Sequence, residues 1–153
     1  MTAKTKDLII SIAIPLITGG LSAIISRSGM QDFSSVAQPP LSPPAILFPI
    51  VWTVLYILMG IASYMVSLSD KDTGNALKLY GIQLGVNFFW SIFFFVLGLY
   101  WFSFLWLVLL WVLIVLTIIS FHKISNTAAY LMIPYLLWVS FAGYLNLGIA
   151  LLN

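Results

Sequence analysis

The ten charged side chains of this 153-residue sequence are confined to a few short intervals, and long apolar runs fill the space between them. Lys4, Lys6 and Asp7 open the chain; Arg27 and Asp32, then Asp70, Lys71, Asp72 and Lys78, and finally Lys123 come after them. A bilayer core about 30 Å thick takes about 20 apolar residues per helix. Five runs qualify, at 8–25, 44–67, 76–97, 102–121 and 127–152, separated by one long loop at 26–43 and three short ones. With 62% hydrophobic and 7% charged residues, the chain lies far from soluble domains, whose charged share is roughly 25%. The reading is an all-α integral membrane protein, a five-transmembrane-helix bundle forming a single domain over 1–153.

The first run is preceded by two lysines, as in a signal peptide. It is longer than the usual apolar core of about 7 to 15 residues and no A-x-A cleavage pattern comes after it, so it is kept as a span. With five spans, Lys4, Lys6, Lys71, Lys78 and Lys123 fall on one side and only Arg27 on the other. The positive-inside rule then puts the N-terminus in the cytoplasm and the C-terminus outside, and the expected location is a bacterial cell membrane. The net charge of +2 therefore reports topology, and no nucleic-acid partner is expected.

The most informative stretch is QPPLSPPAILFPIVWTVLYILMGIASY at 38–64. Pro40, Pro43 and Pro44 forbid regular helix before Pro44, and Ser42 can cap the first helical turn beyond it, so the second span is expected to start near Pro44. Along it Trp52, Tyr56, Met59 and Ser63 recur at three- and four-residue steps and share one face. The loop at 26–43 reads either as a lid folded over the bundle mouth by Phe33, Val36 and Leu41, or as a disordered linker.

In the third span Gln83, Asn87 and Ser91 step by four, with Trp90 and Phe94 beside them. Gly81 and Gly85 form a G-x-x-x-G pair on the opposite side. This flat groove is assigned to a homodimer contact, with close packing inside one bundle as the alternative. The fourth span, almost wholly Leu, Val, Ile and Trp, is read as lipid-facing. The fifth places Trp138, Ala142, Leu145 and Asn146 on a continuous face.

These residues exclude more chemistry than they allow. No charge lies centrally in any span, which argues against an ion-driven pump. There is no Glu, and the four Asp sit at span edges, so paired carboxylates for acid-base work are lacking. There is no cysteine and only one histidine, His122, so no metal site and no cofactor are expected. What remains is an aromatic cavity with sparse hydrogen-bonding groups, suited to large flat ligands.

The runs FPIVWTVLYILMGIASY at 48–64 and IPYLLWVSFAGYLN at 133–146, with the Gln83 to Asn87 spacing and Trp90, closely resemble the TspO/MBR family. These are the tryptophan-rich sensory proteins of bacteria, related to the mitochondrial translocator protein or peripheral benzodiazepine receptor. The resemblance spans nearly the whole chain. It implies a dimeric five-helix bundle in the lipid bilayer, with a pocket beneath the first loop for porphyrins and benzodiazepine-type ligands. Trp52, Asn87 and Trp138 match family positions and are carried over as ligand-binding residues. Tyr56, Trp90, Phe94, Ala142 and Leu145 join them from the helical faces; Phe33, Leu41, Pro43 and Pro44 are the lid residues.

The sequence departs from the family pattern in the first loop. Leu41 stands where the K-P-x-W-x-P-P motif has tryptophan, and Gln38 where it has lysine. Asp32 and Phe33 replace an aromatic pair, and Ala150 replaces a tryptophan near the C-terminus. No tyrosine has a Lys or Arg within the next six residues, so the sterol-recognition pattern is not supported.

Three functions are compatible with the resemblance. The first is a binding or sensory protein for tetrapyrroles, chiefly protoporphyrin IX, held between Trp52 and Trp138. The second is a light- and oxygen-dependent porphyrin-degrading enzyme with Trp52 and Trp138 as redox partners. The third is a facilitative transporter of porphyrins or other lipophiles.

Overall fold

The computed structural model describes residues 2–153 and contains five helices long and apolar enough to cross a membrane. They are α1 (Ala3–Ile25), α3 (Leu47–Ser67), α4 (Gly74–Ser91), α5 (Tyr100–His122) and α6 (Asn126–Leu152). A short helix α2 (Arg27–Asp32) and a 3-10 turn (Phe33–Ser35) come after α1, and a π turn (Ile92–Val96) extends α4. Caps fix two of the starts. Thr2 accepts from the Thr5 amide at 3.2 Å, so α1 begins ahead of its apolar run and carries both lysines in its first turns. Ser125 likewise accepts from the Ala128 amide at 3.2 Å and opens α6.

The second span starts at Leu47 and not near Pro44, and Ser42 does not cap it. The Ser42 hydroxyl donates back to the Pro39 carbonyl at 2.8 Å, and the chain turns once more through Pro44 to Ile46. Pro49 supplies the reason. A start at Pro44 would leave Pro49 inside the helix with a missing hydrogen bond, whereas from Leu47 it falls in the first turn, where the amide has no intrahelical partner.

Around the bundle the order is α1, α3, α6, α5, α4 and back to α1. A close backbone approach joins α1 to α3. Pro15 has no amide to offer the Ser11 carbonyl, and Gly60 packs there: a Cβ on Gly60 would come within 2.6 Å of Ile12 Cα and 2.8 Å of the Ser11 oxygen. On the far side α5 buries Ser103, Leu107, Leu110, Ile114, Thr117 and Phe121, a regular seam against its neighbours. The reading of this helix as lipid-facing therefore holds for one side of it and misses this seam. Only its outer side, with Leu105, Val108 and Val112, is exposed.

The loop at 26–43 is not a plain linker. After α2 and the 3-10 turn, Phe33 packs 5.6 Å from the Phe94 ring and 5.4 Å from Phe95. Asn153 brackets Ala37, donating to its carbonyl at 2.9 Å and accepting from its amide at 3.3 Å. Pro39 is buried against Gly148, and Tyr144 donates to the Pro40 carbonyl at 2.6 Å. The C-terminal half of α6 thus holds the loop across the end of the bundle.

Candidate functional site

A cavity of about 330 Å³ lies beneath this loop, enclosed by α1, α3, α4 and α6. Each helix contributes the face that its sequence periodicity marks. Trp52 and Tyr56 come from α3, one turn apart and stacked at 5.5 Å. Asn87, Trp90 and Phe94 come from α4 and its π turn, Trp90 stacked on Phe94 at 5.3 Å. Trp138, Ala142 and Leu145 come from α6. All eight residues singled out for ligand binding therefore border one space. Among the lining residues none is charged, and polar atoms come only from Ser, Asn, Gln, Tyr and Trp side chains and the backbone.

The loop residues divide. Phe33 and Pro43 line the cavity, whereas Leu41 and Pro44 do not. Leu41 is 81% exposed with φ of 70°, a left-handed conformation that turns its side chain away from the bundle, so it is no part of a lid over the mouth. Pro44 is exposed in the turn before α3. Gly81 and Gly85 lie on the outer side of α4, where an added Cβ meets nothing within 4 Å, so neither glycine serves packing within this bundle.

Two hydrogen-bond clusters hold the walls. At the loop end Asn146 Oδ1 accepts from Trp90 Nε1 at 3.0 Å and from the Ser103 hydroxyl at 3.2 Å, while its Nδ2 donates to the Tyr100 carbonyl at 2.9 Å. One buried amide thereby ties α4, α5 and α6 together and orients the Trp90 indole. Deeper in the bundle Tyr56 donates to Asn87 Oδ1 at 3.0 Å, which fixes both side chains in the cavity wall. Gln83 shares the face of Asn87 but sits below the cavity, fully buried. Trp138 borders the cavity edge-on to Phe48 at 5.8 Å, and its indole Nε1 has no hydrogen-bond partner.

Sequence reasoning missed the contribution of α1, which lines the cavity with Gly19, Ser22 and Ala23. Ser22 donates to the Phe88 carbonyl at 3.1 Å, and Ser26 and Ser91 share a 2.7 Å bond, so small polar residues fasten α1 to α4. Phe48, Pro49, Phe95 and Ile149 were also missed. Ser22, Ala23 and Ser26 were the available signal for α1, a run of small residues at the end of an otherwise bulky apolar helix.

The TspO/MBR family matches the chain over residues 11–152. The sequence is 40% identical over 124 residues to the Tryptophan-rich protein TspO of Chlorobaculum tepidum, covering 79% of this chain and 78% of that one. It is 36% identical over 128 residues to the Translocator protein homolog of Schizosaccharomyces pombe, covering 80% and 78%. To the Translocator protein of Bos taurus it is 33% identical over 138 residues, covering 87% and 82%.

Proposed function

Because the chain belongs to the TspO/MBR family, we propose that it is a membrane binding or sensory protein for a tetrapyrrole of the protoporphyrin IX type, taken up in the cavity beneath the first loop. The observation that carries this reading is the convergence of Trp52 and Trp138, from different helices, on one uncharged aromatic cavity. Indole faces supply stacking area to a flat ring, and the few polar side chains of the wall, Asn87 and Ser91 among them, supply directional contacts. The ring's carboxylates would stay at the mouth in water, since nothing among the lining residues would neutralise them.

The test is titration of the detergent-purified protein with protoporphyrin IX, following tryptophan quenching in the dark. Saturable quenching weakened in Trp52→Phe and Trp138→Phe supports the reading; unsaturable quenching, equal in all three proteins, overturns it. The same two indoles favour light-dependent breakdown as a second reading. An excited ring would take an electron from an indole, dioxygen would add to the reduced ring, and the adduct would return the electron to the indole, so that the net change is oxygenation of the ring. Illumination of the saturated protein then bleaches the porphyrin bands in the wild type and not in Trp138→Phe.

The open groove at Gly81 and Gly85 supports a homodimer with α4 at its interface. Leucine at both positions is expected to lower the dimer fraction in crosslinking. The lysine distribution supports a cytoplasmic N-terminus in a bacterial cell membrane.

A further inference from the structure

Below the cavity, four side chains form one continuous hydrogen-bonded chain. The Tyr56 hydroxyl donates to Asn87 Oδ1 at 3.0 Å, Asn87 Nδ2 donates to the Tyr135 hydroxyl at 2.7 Å, and Tyr135 donates to Gln83 Oε1 at 2.7 Å. Tyr56 and Asn87 line the cavity, whereas Tyr135 and Gln83, 1% and 0% exposed, do not touch it. The chain therefore joins the cavity wall to a site with no direct access to a ligand.

Such a chain has two self-consistent directions. Each hydroxyl donates once, and each amide has a donor end and an acceptor end. Were Gln83 to donate, Tyr135 would donate to a turned Asn87, and Asn87 would donate to Tyr56. The difference is felt in the cavity. In the observed direction the Tyr56 hydrogen is committed to Asn87 and only its oxygen lone pairs remain; in the reverse direction that hydrogen is free for a ligand.

The far end decides between the two. Gln83 Nε2 and the Tyr80 hydroxyl are both buried without a partner. The observed direction orphans the Gln83 N–H, whereas the reverse would orphan Gln83 Oε1 and, with no ligand bound, the Tyr56 O–H, so each direction carries a penalty. The two directions are thus close enough in energy for one side chain to set the choice. We propose that Gln83 is a positioning residue: as the terminal acceptor it holds the chain in the direction that leaves Tyr56 an acceptor, and so sets the ligand selectivity of the cavity. The selectivity half rests on the cavity being a ligand site; the directional half does not.

The first experiment needs no ligand. In protein carrying ¹³Cζ-tyrosine, the Tyr56 and Tyr135 resonances are assigned with Tyr56→Phe and Tyr135→Phe. Gln83→Leu removes the terminal acceptor, so Tyr135 can donate only to Asn87 and both resonances move. Gln83→Glu keeps an acceptor in either protonation state and leaves both in place. A Gln83→Leu protein in which Tyr135 moves and Tyr56 does not would overturn the proposal, since the chain would then end at Tyr135.

The second experiment compares unsubstituted pyrene with 1-acetylpyrene, which adds one acceptor, by energy transfer from tryptophan. Gln83→Leu is expected to raise the affinity ratio in favour of the ketone about five- to tenfold, the worth of one hydrogen bond. In Tyr56→Phe the same substitution leaves the ratio unchanged. An unaltered ratio in Gln83→Leu, or equal weakening of both probes, refutes the selectivity role whatever the outcome with tetrapyrroles.

Discussion

Tyr144 donates its hydroxyl to the Pro40 carbonyl at 2.6 Å across 104 residues of sequence, so the last helix holds the turn of the first loop. The neighbouring Gly148 keeps that turn close, because a Cβ there would lie 2.6 Å from the Pro39 ring. Removing the hydroxyl in Tyr144→Phe costs about 1 kcal/mol of loop anchoring. Amide hydrogen exchange across residues 36–44 is expected to rise about fivefold, with the helices unaffected.

Gly19 lies against the Tyr56 ring so closely that a Cβ would overlap it. In Gly19→Ala the ring must move, which breaks its bond to Asn87 and intrudes on the cavity. The expected result is about five- to 150-fold weaker binding of any aromatic probe, of the order set by an overpacked contact of about 1 to 3 kcal/mol. Gly20→Ala is the control, since nothing lies within 4 Å of that position.

Asn146 satisfies three partners on two other helices. Leucine at this position strands the Trp90 N–H in an apolar surround, a loss of about 1 to 3 kcal/mol, whereas the Tyr100 carbonyl keeps the Ser103 hydroxyl at 3.0 Å. Thermal unfolding in detergent should show a clear drop in Tm. Red-edge tryptophan fluorescence should report a freed Trp90.

Leu41 sits at φ of 70° with its side chain in solvent. A left-handed leucine costs roughly 1 to 2 kcal/mol, and glycine's extra freedom in the unfolded chain offsets about 1 of it. Leu41→Gly is therefore expected to hold or slightly raise Tm despite deleting a large apolar group. Leu41→Ile, β-branched at the same φ, is expected to lower it.

The five spans were legible because charge in hydrocarbon is costly, so the ten charged residues mark where each helix leaves it. The cavity was legible where polar or aromatic residues recur at three- and four-residue steps, as with Trp52 and Tyr56, or Trp138 and Ala142. That signal fails where a helix is apolar all round. On α5 the seam of Leu107, Leu110 and Ile114 resembles its exposed side, and on α1 only small residues distinguish the inner face. The direction of Leu41 was hidden for another reason. Its positive φ is imposed by contacts of the flanking turn with α6, and a leucine carries no local signal for it.

The π turn at Ile92–Val96 has a consequence for chain length. Its closing bond runs from the Leu97 amide to the Ile92 carbonyl at 3.0 Å, so it holds one residue more than an α-helical turn. Removing one residue from it would let ordinary helical bonds close and would turn the rest of this segment, up to the break at Gly98, by about 100°. Trp90 would keep its place in the wall, while Phe94 or Phe95 would be swung out of it. An insertion or deletion in this segment is therefore a direct way for related bundles to reshape the cavity, altering which aromatic rings face it without touching the helices on either side.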